Sequence, residues 1–202
     1  MKSIERILFG LGFLILFWCA WRSTEARVYQ ATHEARFEER PKPAGRGEAP
    51  PRRAPLREGE ALGRIEIPRL GLAAVIAEGE GESTLRLAVG HIPGTALPGE
   101  DGNVGLAGHR DGFFRPLARI RLHDEIRLTV ERGRSFVYRV ESTAVVDATD
   151  VSVLAPQSED CLTLVTCYPF GYIGPAPRRF VVRARRLLVE VSRRWGAPGR
   201  LG

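Results

Sequence analysis

The chain has 202 residues, 44% hydrophobic and 27% charged, the balance of a sequence that folds around one core of ordinary size and carries appendages. Its three cysteines exclude a disulfide-built scaffold, and with its four histidines they show no paired spacing of the zinc-finger kind. The formal charge of +6 lies mostly outside the folding part: residues 1–60 carry 11 Lys+Arg against 8 Asp+Glu, residues 61–186 carry 16 against 15, and residues 187–202 carry 3 against 1. A nearly neutral body with no basic stripe and no interleaved aromatics argues against nucleic acid as a partner.

Residues 7–21 (ILFGLGFLILFWCAW) form an unbroken apolar run, preceded by Lys2 and Arg6 and followed by Arg22. A membrane-spanning helix takes about 20 apolar residues, so the run is short, and the stems of Lys2 and Arg22 extend it. Trp21 stands where a signal peptidase needs a small residue, and Phe17 and Trp18 before Cys19 do not fit a lipoprotein box. The expectation is an uncleaved, single-pass signal anchor over residues 1–27 with the remainder outside the cytoplasm; a cleaved signal is the competing reading. Residues 28–60 read as a juxtamembrane segment, with a short polar helix over 28–40. The stretch 41–60 has five prolines and only Leu56 as a large aliphatic residue, the composition of an extended stalk or an arm lying across the domain.

From residue 61 the texture changes to short apolar runs between turn signals. Strands are predicted at 63–67, 72–77, 103–108, 125–130, 136–146, 161–167 and 179–185, with period-two alternation clearest in the fifth and the last. Turns at 99–102 and 132–134 and the strand spacing suggest an all-β antiparallel barrel or sandwich. Helix is confined to one or two turns at 82–88 and 113–117. The folded domain is placed at residues 61–187, and residues 188–202, ending in GAPGRLG, form a frayed tail.

Cys167 ends the apolar run 162–166 and precedes Tyr168-Pro169, so a thiol stands at a strand end where a substrate can reach it; a buried structural cysteine is the alternative. Cys161 lies six residues earlier on the same strand. At about 3.3 Å per residue the two are too far apart for a disulfide, which needs Cα atoms within about 7 Å. Glu159 and Asp160 precede Cys161 and disfavour its thiolate. His109 follows VGLAG at another strand end and can serve as the proton acceptor and donor a thiol nucleophile needs. His91, in GHIPG, is its rival and is kept as a site-wall residue, whereas His33 and His123 sit in charged, peripheral segments. Arg179 opens the strand after the loop 168–178, opposite Cys167, where a planar guanidinium can hold an oxyanion. Arg178, Arg183 and Arg185 are alternatives.

GHIPGT at 90–95, LAGHR at 106–110 with Phe113-Phe114, TLVTCYPF at 163–170 and APRRFVV at 176–182 resemble the sortases, with class D the most similar subgroup. The resemblance runs from about residue 63 to residue 186, in the family's order. It implies an eight-stranded sortase-type β-barrel with one or two short helices behind an N-terminal transmembrane helix. It also implies a His–Cys–Arg site, carried here by His109, Cys167 and Arg179. The implied activity is that of a membrane-anchored cysteine transpeptidase, which cleaves a C-terminal LPxTG-like sorting signal through a Cys thioester and transfers the protein to an amine. The partners implied are exported proteins with such signals and an amine acceptor, either a cell-wall peptide or another protein. No cofactor and no metal site is expected. Substrate contacts are placed on His91, Val104, Leu106, Val165, Thr166 and Tyr168 and on the connection 147–156. Two other readings stay open: a different envelope thiol enzyme, such as an L,D-transpeptidase or cysteine peptidase, and a non-catalytic tethered binding domain.

Overall fold

The computed structural model describes residues 2–38, 56–130 and 134–187. The expected turn at 132–134 and the tail 188–202 lie largely or wholly outside them, as does most of the stalk. Helix α1 (Lys2–Glu38) comes first. Eight strands follow: β1 (Ala61–Ile67), β2 (Leu72–Glu78), β3 (Val89–His91), β4 (Asn103–Gly108), β5 (Glu125–Val130), β6 (Ser135–Asp147), β7 (Cys161–Tyr168) and β8 (Arg178–Leu187). One short helix, α2 (Glu82–Leu87), links β2 to β3, and single 3₁₀ turns occupy Pro68–Leu70, Arg115–Arg119 and Ser152–Leu154.

The strands close into a barrel in the order β1-β2-β3-β4-β7-β8-β6-β5, and an antiparallel β5–β1 pairing completes the ring. The barrel is not purely antiparallel, as the turn spacing suggested. β2 and β3 run parallel because α2 carries the chain back to its starting end, and β4 and β7 run parallel because β5 and β6 intervene in sequence. Strand β3 was not foreseen: three residues are too few to show a period.

Alternation sorts the side chains. On β5 every second residue, Ile126, Leu128 and Val130, is buried, while Glu125 and Arg127 face water. Ile65, Ile67, Ile76, Val104, Leu106, Leu128, Leu162, Leu164, Val182 and Ala184 fill the interior with no exposed surface. Tyr138 is buried among them, and burial pushes its pKa up to about 12.

The sequence predicted an apolar segment and a separate polar helix; the structure has one continuous helix of 37 residues, about 55 Å long. Its second half docks on the barrel. Gln30 donates from Nε2 to Leu87 O (2.7 Å) and accepts at Oε1 from Val75 N–H (2.7 Å), and Tyr29 Oη donates to Gly59 O (2.9 Å). Glu34 pairs with Arg64 at 2.5 Å, and Glu25 with Arg86 of α2. Ile7, Phe9, Phe13, Leu16 and Trp21 of the first half remain exposed. Among the described residues no helix is long and apolar enough to cross a membrane, so the expected span is not confirmed by the fold.

Arg69 makes a two-pronged pair with Asp124, Nη2 reaching Oδ2 at 2.5 Å and Nε reaching Oδ1, while Nη2 also donates to Arg119 O (2.6 Å). The pair ties the turn after β1 to the turn before β5. The hydrogen bond from Arg69, opposed by burial and aided by the Arg121 N–H, holds the Asp124 carboxyl below its ordinary value of 3.8. A carboxyl lowered by folding contributes stability above its unfolded pKa and loses it as pH falls through the lowered folded value. Asp124→Asn is therefore expected to lower the melting temperature at neutral pH, with the gap to wild type closing in acid. Thermal melts of both proteins from neutral pH downward check this, and a gap independent of pH would refute it.

Candidate active site

Three strand ends build the site at one rim. β4 and β7 are parallel neighbours with Gly108 opposite Thr166, so the next residue of each, His109 and Cys167, stands at the same level. β8 runs antiparallel beside β7 with Arg179 directly opposite Cys167. Since Leu162, Leu164, Val182 and Ala184 point into the core, alternation turns Thr163, Val165 and Cys167 of β7 and Arg179, Val181 and Arg183 of β8 to the outer face. The site is therefore a strip on the outside of the barrel.

The neighbours of each residue fix it in place. Thr166, itself buried, donates its hydroxyl to Gly108 O at 2.7 Å, tying together the two residues that precede His109 and Cys167. The carbonyl of His109 accepts from Gly112 N–H (3.1 Å) and Phe114 N–H (3.3 Å), which winds the following turn around it. Gly108 admits the buried Phe114 ring beneath that turn: a Cβ there would stand 2.8 Å from two ring atoms. The imidazole is one-third exposed, and its Nε2 lies 3.4 Å from Glu82 Oε2 on the first turn of α2.

The two described cysteines differ as their positions dictate. Cys167 is half-buried at the rim, whereas Cys161 is buried at the other end of β7. Burial pushes the Cys161 thiol up; Arg183 opposes this, and Asp160, Glu141 and Glu159 add to it. Burial thus outweighs the acidic neighbours that the sequence emphasised.

The arginines also separate. Arg179 donates from Nη1 to Ala176 O (3.3 Å) and Arg178 O (3.2 Å), holding it beside the β7–β8 loop. Arg183 donates to Val153 O (3.0 Å), and Arg185 pairs with Glu141 (2.8 Å) farther along β8. Asn103 also holds the β6–β7 connection, donating to Val153 O and Ala155 O, and accepts from Thr163 Oγ1 at 2.8 Å. This connection walls the strip on one side. A Cβ on Gly105 would meet Thr95 Cγ2 at 2.9 Å and Leu154 Cδ2 at 3.2 Å, so the strip narrows there between two loops.

The expected substrate contacts need correction. Val104 and Leu106 have no exposed surface; they lie on the inward face of β4 and belong to the core. The outward residues of that strand are Gly105 and Ala107. His91 is also no open wall: it is 2% exposed, its Nδ1 pairs with Glu78 Oε2 at 2.7 Å, and its Nε2 lies 3.0 Å from Ala96 O and 3.1 Å from Thr95 Oγ1. It clamps the β3–β4 loop that carries Thr95. Thr166 is spent on Gly108. Tyr168 is half-buried against Phe180 and Phe170, with centroids 6.3 and 6.1 Å away. Val165 is half-buried on the outer strip itself. Glu82, Thr95 and Gly105 were missed, since no spacing in the sequence brings them to this rim, and so was Arg110, which adjoins His109 but whose partners Pro169 and Gly174 lie far along the chain.

These placements predict that Leu106→Ala acts on stability, losing about 2–5 kcal/mol as core truncations do. Denaturant unfolding of wild type and variant reads the loss. A variant of unchanged stability would return Leu106 to the surface.

A sequence model of the sortase domain matches residues 65–187. Sortase D of Bacillus subtilis (strain 168) is 38% identical over 130 residues, covering 64% of this chain and 65% of that protein. Sortase A of Listeria monocytogenes is 29% identical over 110 residues, covering 52% and 49%. The chain thus spans about two thirds of one relative's length and half of the other's. Among solved structures, a Clostridium perfringens sortase D transpeptidase superposes with a TM-score of 0.65 at 25% identity, over 81% of this chain and 99% of that one. Clostridium perfringens sortase C with the C-terminal cell wall sorting motif gives 0.61 at 29% identity, over 67% and 75%. With the barrel, its strand order and the domain match in agreement, the chain belongs to the sortases, a family of cysteine transpeptidases.

Proposed function

We propose that the chain is a cysteine transpeptidase that cleaves a C-terminal sorting signal of the LPxTG kind and joins the released protein to an amine. The observation that carries this reading is the register at one rim: Arg179 opposite Cys167, and His109 one residue beyond the Gly108–Thr166 pair. The Cys167 thiolate attacks the scissile carbonyl, forming a C–S bond. As the C–N bond breaks, the His109 imidazolium gives its proton to the leaving amine. The acceptor amine then attacks the thioester, His109 takes the proton it sheds, and the new amide forms as the thiolate departs. Arg179 stabilises the oxyanion of both tetrahedral intermediates. The sorting signal lies along the outer face at half-buried Val165, between the Thr95 and Leu154 loops. That a relative was solved with a cell wall sorting motif supports the substrate class.

The same reading gives α1 the part of the membrane anchor and places the barrel outside the cytoplasm. Its support is the exposed apolar first half of the helix, which nothing among the described residues covers. In membrane fractions of cells making the full chain, the protein should resist salt and carbonate extraction and yield to detergent. Release by carbonate would sink the anchor without touching the chemistry.

Incubation with a labelled sorting peptide and an amine tests the reaction: a transfer product supports it, and hydrolysis alone points to a peptidase. Cys167→Ala should abolish transfer and Cys161→Ala should keep most of it. Arg179→Lys keeps the charge and loses the planar fork, so its rate should fall about 10²–10³-fold with little change in melting. Near-normal transfer by Arg179→Lys, or a larger loss in Arg178→Lys, would move the oxyanion role to Arg178.

A further inference from the structure

We propose that Arg110 is a positioning residue of this site, fastening the loop between Cys167 and Arg179 to the turn that carries His109. The inference rests on the function proposed above and concerns a residue that reaches the reaction only through others. Arg110 follows His109 directly. Its Nη1 donates to Pro169 O at 3.2 Å and its Nη2 to Gly174 O at 2.8 Å, one carbonyl at the start of the loop and one past its middle. Its guanidinium carbon lies 5.8 Å from the centroid of the Tyr172 ring in the middle of the same loop. One planar fork therefore grips the loop at three points, which a lysine ammonium does not do.

The loop needs an outside hold. Ile173 is 96% exposed, and the loop's apex gains one short-range bond of its own, Tyr172 N–H to Pro169 O at 3.3 Å. Gly174 sits at φ +102°, a conformation that a side chain rarely adopts, so the chain reverses there. Beyond it, Arg179 bonds Ala176 O. The loop is thus tied to β4's turn at one side by Arg110 and to β8 at the other by Arg179. Pro169 stands two residues after Cys167, so releasing its carbonyl loosens the nucleophile's strand end. Releasing Gly174 loosens the segment on which Arg179 rests. In this way Arg110 sets the separations among His109, Cys167 and Arg179, and misplacement by about 1 Å costs such sites on the order of 10²-fold.

The test has an arm that needs no peptide substrate. The charged groups around the Cys167 thiol are His109 with Glu82 behind it, Arg178 and Arg179 from β8, and Arg110 with its neighbour Asp111. If Arg110 fixes their distances, its loss alters how thiol reactivity depends on pH. Full-length wild type, Arg110→Gln and Arg110→Lys are alkylated with iodoacetamide across a pH series, and the Cys167 adduct is followed by mass spectrometry. In Arg110→Gln the midpoint of that profile is expected to move by about half a unit or more, with Arg110→Lys in between. In transfer assays kcat should fall about tenfold or more while the peptide KM changes less than about threefold. Hydrogen exchange should show faster amides in residues 169–177 with an unchanged melting temperature. An unchanged alkylation profile overturns the proposal, and so does a loss confined to KM, which would make Arg110 a substrate contact. If Arg110→Gln fails to fold, Arg110→Lys decides: loop exchange equal to wild type overturns it. If wild type transfers no peptide, the proposed reaction fails, and the alkylation profile still decides whether Arg110 positions the thiol.

Discussion

The parallel pairing of β4 with β7 is the constraint on which the site depends. Parallel neighbours end at the same rim, so two residues 58 positions apart in sequence, His109 and Cys167, emerge side by side with no loop spanning between them. An antiparallel pairing would send one strand's end to the opposite rim. The backbone ladder sets the level of one strand against the other, and two buried hydroxyls reinforce it: Thr163 donates to Asn103 Oδ1, and Thr166 to the Gly108 carbonyl immediately before both candidate residues.

The interior and the reactive strip share the same strands through alternation, and this divides their duties cleanly. Leu162, Leu164, Val104 and Leu106 face inward and hold the barrel together; Val165, Cys167 and Ala107 face outward. The division also accounts for the two thiols of β7. They lie on the same face of the same strand, yet Cys161 is buried at its start, while Cys167, near its end, is half-buried. Loops then complete the strip: His91 and its carboxylate partner Glu78 secure the loop bearing Thr95, and Asn103 with Arg183 secures the one bearing Leu154.

Most strands could be read from period and turn signals, because a half-buried strand writes its burial into every second residue, as in β5. β3 could not, since its three residues are buried on both faces. The candidate residues His109, Cys167 and Arg179 could be picked out because each stands at an end of an apolar run, where a polar side chain is conspicuous, and the fold brings all three to one rim. The substrate contacts were placed on the wrong face at Val104 and Leu106. A strand buried on both sides gives no alternation, and only the register shows that Gly105 and Ala107 face out. The parallel pairings were also hidden, because turn spacing reports neighbours in sequence, and β4 meets β7 only after β5 and β6 have gone elsewhere. Arg110 and Glu82 escaped for the same reason: what they touch is far away along the chain.

β8 begins beside Cys167 and runs the whole height of the wall. From Arg179 to Leu187 it climbs eight residues, about 26 Å, so the polypeptide leaves the barrel from the end remote from the thiol. That exit is useful for handling the enzyme. A fluorophore or a surface tether attached at Leu187 itself sits at the end of the barrel opposite the rim that holds Cys167. Immobilising the protein by that end on a bead would present the open rim, with Cys167, His109 and Arg179, outward to the solution.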